Sequence, residues 1–165
     1  MKRPTSFRAP YLVIDKATIW LLEKFGFIVD SSFPAYKGTP PIPQRINSII
    51  EIPVSCVPTP HLIFKLFVPL FRYRMFTMEE ICNYDPLKIV RCVVAFQLEN
   101  NVTPHVVFLA HPWEFKNNGS YCSEKNYIRI RNMLNELEKN YNVKYVTMNK
   151  LAMVLMEDGS NSNRL

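Results

Sequence analysis

Three stretches of this chain place reactive side chains where an apolar run stops. Residues 106–109 are apolar and lead through Ala110 into His111, Pro112, Trp113 and Glu114. Residues 27–29 are apolar and lead into Asp30, Ser31 and Ser32. Arg8 opens the segment Arg8-Ala9-Pro10-Tyr11, which runs into Leu12, Val13 and Ile14. Histidine changes charge near neutral pH and so suits proton delivery to a leaving amine. An aspartate at a strand's end can orient an imidazole and raise its pKa. An arginine on a rigid, proline-containing segment can aim its planar fork at a carboxylate. Each residue also has a plainer role open to it. His111 can be satisfied by a backbone partner, Asp30 can cap a turn, Arg8 can be a surface cation and Trp113 can belong to the core.

The elements that must hold these side chains follow from local signals. Pro10 keeps the residue before it extended. Asp15 is an N-cap, and Ile19, Leu22 and Phe25 behind it keep helical spacing until Gly26 stops the helix. Residues 27–29 then read as a buried strand. Pro34, Gly38, Pro40, Pro41 and Pro43 make 33–48 a loop. A short strand is expected at 49–52 and a short helix at 61–73. Thr77-Met78-Glu79-Glu80 fits a capping box. Asp85-Pro86 predicts a helix over 87–98, with strand as the rival because Ile89, Val90, Val93 and Val94 are β-branched. A strand at 106–109, a polar loop at 116–120, a helix from a Ser123 cap to about Tyr141, a strand at 143–146 and a helix at 149–156 complete the series. Strands alternating with helices predict an α/β fold with a parallel sheet or barrel. Four strands are few for a closed barrel.

Composition bounds the class. The chain has 165 residues, room for one domain, and is 48% hydrophobic and 13% aromatic, enough for a full core. The formal charge of +6 fits a weak preference for acidic partners. The basic residues are dispersed, so nucleic-acid binding is not expected. Cys56, Cys82, Cys92 and Cys122 form no CxxC pair and read as buried or half-buried thiols. His61 and His105 sit beside prolines, form no HxxxH pair and read as structural. No carboxylate pair has metal-ligand spacing. The chain shows no apolar run long enough to span a membrane and no signal-peptide pattern, so a cytoplasmic location is the default expectation.

The order and spelling of the three stretches resemble the polysaccharide deacetylases, the NodB-homology family. Arg8-Ala9-Pro10-Tyr11, Val29-Asp30-Ser31-Ser32 and Leu109-Ala110-His111 look like its third, fourth and fifth motifs. The sequence Glu51-Ile52-Pro53 and the His111-Pro112-Trp113-Glu114 ending strengthen the likeness. Asp30-Ser31 departs from the commoner aspartate-tryptophan spelling. The resemblance implies the α/β, distorted (β/α) barrel of that family, present here as its C-terminal part over 1–157 with the N-terminal strands missing. Residues 158–165 are expected as a disordered polar tail.

The resemblance also implies a function. The family removes acyl groups, usually acetate, from amino sugars, using a divalent metal, typically zinc. It gives His111 the role of general acid and Asp30 that of orienting it. Arg8 holds the catalytic base, Tyr11 lends its backbone N–H to the oxyanion, and Pro10, Tyr11 and Trp113 form groove wall. The Asp-Asp and HxxxH motifs that bind the metal and activate water are not in this chain. Its expected partners are therefore an N-acetylated carbohydrate and either the missing N-terminal half or a second copy. A truncated remnant and a carbohydrate-binding or scaffolding domain are the alternatives. Glu114 has no role on this reading.

Overall fold

The computed structural model describes residues 3–33, 42–58, 73–117, 120–121 and 124–162. The expected helix at 61–73 lies almost wholly outside them, and His61, Cys122, the expected Ser123 cap and residues 34–41 of the proline-rich loop lie outside as well. Among the described residues no helix is long and apolar enough to cross a membrane.

Four strands form one mixed sheet: β1 (Ser6–Phe7), β2 (Val29–Asp30), β3 (Gln44–Ile46) and β4 (Ile49–Glu51), in the order β1-β2-β4-β3. β1, β2 and β4 are parallel, and β3 pairs antiparallel with β4. The parallel register sets Phe7 beside Asp30, and Asp30 beside Glu51. Helix α1 (Lys16–Lys24) connects β1 to β2. Its cap is Asp15, whose Oδ1 accepts the Thr18 N–H at 2.7 Å. Gly26 ends it with φ +72°, a conformation that costs glycine little. Glu23 of α1 accepts the Ser48 N–H at 2.8 Å, which ties the β3–β4 turn to the helix.

Two further antiparallel pairs join β5 (Cys56–Pro58) to β6 (Tyr73–Met75), and β7 (Lys116–Asn117) to β8 (Ser120–Tyr121). The other α-helices among the described residues are α2 (Met78–Asn83), α3 (Pro86–Glu99), α4 (Glu124–Asn140) and α5 (Met148–Ser162). Asp85 caps α3 by accepting the Leu87 N–H at 2.9 Å, and Pro86 stands in its first turn. That start decides for helix over strand despite the β-branched residues. α2 begins at Thr77, but the Thr77 side chain makes no capping bond. Glu80, the other half of the expected box, is buried against Arg74 at 2.8 Å instead.

The apolar residues collect in three groups. Ile19 and Leu22 of α1 meet Ile49. Val29, Ile50 and Ile52 meet Val107 and Ala152 of α5. Phe76 and residues of α2, α3 and α4 form the third, with Phe76 edge-on to Phe108 at 5.3 Å.

Five expectations are corrected. Residues 44–46, expected within a loop, form β3, and residues 116–117 and 120, expected as a polar loop, enter the β7–β8 pair. Residues 106–109 do not form a regular strand. The Val107 N–H donates to the Ser55 hydroxyl (2.8 Å), where a ladder needs a carbonyl, and only Leu109 bridges in parallel to Thr77. Residues 143–146 form no strand, because they have no pairing partner among the described residues. Tyr145 and Val146 are exposed there, and Val143 alone packs on the core. The C-terminal helix continues to Ser162, so residues 158–162 have helical backbone and are not a disordered tail.

Candidate functional site

The parallel strands β1, β2 and β4 end side by side, and a buried polar cluster occupies their ends. Side chains alternate along a strand, so Asp30 and Glu51 point away from the face on which Val29 and Ile50 meet α5. Both acids are 0% exposed. Ser31 and Ser32 follow Asp30 and are also buried.

Arg8 enters from the end of β1. Its Nε donates to the Ser31 carbonyl (3.0 Å) and its Nη2 to the Ser31 hydroxyl (2.6 Å). The Ser32 hydroxyl donates to Asp30 Oδ1 at 2.6 Å and accepts the Ala9 N–H at 2.8 Å. The Phe33 N–H donates to Glu51 Oε1 at 2.9 Å. One side chain, Ser32, thus links the arginine segment to the aspartate. Burial pulls the Arg8 guanidinium below its usual pKa, and the charges of Glu51 and Asp30 oppose that. Burial first, and then the neighbouring Asp30 carboxyl, push the Glu51 carboxyl up to about 8, against the Phe33 N–H.

Pro10 and Tyr11 form the turn beyond Ala9, closed by Leu12 N–H on the Ala9 carbonyl at 3.1 Å. Tyr11 has φ +55° and Leu12 φ +54°. Such values are outliers for bulky residues and cost roughly 1–2 kcal/mol each. The turn is held against that strain at both ends, by the Ser32 bond to Ala9 and by burial of Leu12. Its effect is to project Tyr11, 96% exposed, into solvent. Pro10 is also exposed.

His111 follows the Thr77–Leu109 bridge by two residues. Its ring stacks on Trp113 with centroids 4.0 Å apart and planes 9° from parallel. A 3-10 turn, Pro112–Phe115, brings Glu114 back so that its carboxylate accepts the His111 N–H at 2.5 Å. Glu114, left without a role by the sequence, is the cap of this corner. Trp113 is 64% exposed, so it is not a core residue.

Arg8 and Asp30 are therefore brought into one cluster, and His111 with Trp113 into another. Among the described residues no hydrogen bond or ion pair joins His111 to Asp30. Asp30 Oδ1 instead accepts the Ser32 hydroxyl, and the sheet register sets Asp30 beside Glu51. Glu51 is the member that sequence reasoning missed. Its signal was an acid inside the run Ile49-Ile50-Glu51-Ile52, where no polar face exists to take it to water.

His105 is a core histidine. Its ring nitrogens lie 2.8 Å from the Thr103 carbonyl and 3.4 Å from Gln97 Nε2, and burial lowers its pKa. Cys56, Cys82 and Cys92 are unpaired, with burial pushing the Cys56 thiol up to about 12. Among the described residues no three His, Cys, Asp or Glu side chains are grouped to hold a metal ion. Asp30 and Glu51 supply only two carboxyls, with the Arg8 cation beside them, which does not fit a zinc site, and no step below runs through one.

No family model, no curated protein and no solved structure matches the chain.

Proposed function

We propose that this chain carries the general-acid side of a metal-dependent hydrolase that removes N-acyl groups from amino sugars of a glycan. The reading is the polysaccharide deacetylase one, and a single observation carries it. Arg8 and Asp30, two motif residues far apart in the chain, meet in one buried cluster through Ser31 and Ser32 at the ends of adjacent parallel strands. Chemistry at the ends of parallel strands is the common arrangement in α/β enzymes.

On this reading the His111 ring donates a proton to the leaving nitrogen as the amide C–N bond breaks, and water supplies the oxygen of the released carboxylate. The stacked Trp113 presents an exposed indole to a sugar face. On this reading Tyr11 and Pro10 form part of the groove wall. Arg8 has Nη1 without a partner among the described residues and can receive an acidic group from the rest of the domain. The divalent metal, zinc, belongs to the complete domain. The partners are an N-acetylated carbohydrate and the segment or second copy that completes the site.

The test has two parts. Titrating the 15N-labelled chain with an N-acetylated chito-oligosaccharide is expected to shift the Trp113 indole N–H and the amides near His111, and Trp113→Ala is expected to abolish the response. Silence of both signals removes the carbohydrate reading. Acetate release by the native gene product with zinc, lost in His111→Ala while binding persists, is the enzymatic outcome. Binding with no release by any native form leaves a carbohydrate-binding domain.

A further inference from the structure

Glu51 has no part in the chemistry above, yet its carboxyl is fully buried. The parallel register of β2 and β4 sets it beside Asp30, whose side chain points to the same face. Two buried oxygens in this cluster have no hydrogen-bond partner among the described residues, Asp30 Oδ2 and Glu51 Oε2, one on each acid. The other oxygen of each acid is occupied: Asp30 Oδ1 by the Ser32 hydroxyl and Glu51 Oε1 by the Phe33 N–H. Two ionised carboxylates have no donor to share, whereas one added proton satisfies both orphan atoms.

We propose that Asp30 and Glu51 form a proton-sharing carboxyl pair, with the proton on Glu51 Oε2 donated to Asp30 Oδ2, and that Glu51 is thereby a positioning residue for Asp30. Phe33 N–H selects which oxygen of Glu51 is free to carry the proton. The charge then balances. Arg8 contributes one positive charge and the pair one negative, so a guanidinium and two acids can be buried together. Loss of the proton puts two negative charges side by side with no donor between them. The other residue across from Glu51, Gln44 on β3, is uncharged, and Asp30 and Arg8 are the charged groups acting on it. The inference stands on the sheet register and the orphan atoms, and it holds or fails independently of the deacetylase reading.

The sign of the pH effect follows. A carboxyl that titrates near 8 in the fold and near 4.3 when unfolded binds an extra proton in the folded state between those values. Its contribution to stability is full below the unfolded pKa, falls as pH rises toward the folded one, and changes no further above it.

Carbon-13 NMR of the full 165-residue chain, labelled at the Glu and Asp carboxyls, reads this directly, with Glu51→Gln assigning the signal. The Glu51 carboxyl is expected to step near pH 8. A Glu51 step at the ordinary position of about 4.3 overturns the proposal. Variants give a second readout that a filler side chain would not move. Glu51→Gln keeps the acceptor for Phe33 and replaces the proton with an amide donor. It is expected to melt no lower than the native chain at neutral pH and to lose this part of the alkaline decline. Glu51→Ala is expected to destabilise at every pH. Equal destabilisation by both variants overturns the proposal. If Glu51→Ala does not fold, the titration of the native chain still decides.

Discussion

The Arg8–Asp30–Glu51 cluster and the His111–Trp113 corner are both polar sites placed after extended segments, but they are held by different means. The first is assembled from three separate strands, and its hydrogen bonds span more than twenty residues from Arg8 to Ser31 and from Ala9 to Ser32. Every side chain in it except Arg8 is fully or nearly fully buried. The second is built from five consecutive residues. Its anchor is Glu114 on the His111 N–H, and its aromatic wall faces solvent. A buried cluster of this kind needs the sheet to exist and in turn penalises any other register. A local corner can form, open or be lost with little consequence for the sheet. The difference separates a buried cluster held by the sheet from a solvent-facing corner held by its own turn.

The largest expected break in that contrast is Asp30→Ala. It removes the acceptor of Ser32 and the partner of Glu51, and leaves Arg8 with less compensating charge. Removing one partner of a buried ionic cluster costs on the order of 3–5 kcal/mol. Urea denaturation at neutral pH is expected to show a loss of that size, or no folded baseline. A loss under about 1 kcal/mol, the usual result at an exposed site, means that the cluster is not coupled to the fold.

Ser32→Ala comes next. It leaves Ala9 N–H and Asp30 Oδ1 without their shared partner and releases one end of the strained Pro10–Tyr11 turn. Leaving a buried donor or acceptor unsatisfied costs about 1–3 kcal/mol. The loss is expected to be smaller than for Asp30→Ala, and the two losses are expected not to add, because they break the same chain of hydrogen bonds. Additive losses in the double variant separate the Ala9 link from the acid pair and divide the cluster in two.

What could be read in advance follows the same division between local and long-range. Asp15 with Gly26, and Asp85 with Pro86, bound α1 and α3 through contacts within a few residues, and both helices form where those signals stand. Residues 106–109 and 143–146 carry strand-like composition, but a strand needs a partner at the right register. The Ser55 hydroxyl takes the Val107 N–H of the first, and the second pairs with no strand among the described residues. At the site, Arg8, Asp30 and His111 announce themselves by type and by position after apolar runs. Glu51 does not, because its meaning depends on the β2–β4 register that sets it beside Asp30. A lone acid among isoleucines was the visible sign, and its partner was not. Tyr11 likewise shows nothing in its identity of the positive φ that turns it outward, since that conformation is imposed from both ends of its turn.

Trp113→Ala is expected to have the smallest effect on stability and is the sharpest test of the corner. The indole is 64% exposed, so little apolar burial is lost, and the His111 stack is worth about 0.5–1.5 kcal/mol beyond burial. A loss in the lower part of that range is expected in urea denaturation, with the Arg8–Asp30–Glu51 cluster unchanged as judged by the Glu51 carboxyl titration. If the variant instead falls as far as Ser32→Ala, Trp113 is a structural wall and the corner is built into the fold as firmly as the buried cluster. If stability barely moves and the carbohydrate response disappears, the exposed indole face is a contact surface set on a frame that does not depend on it.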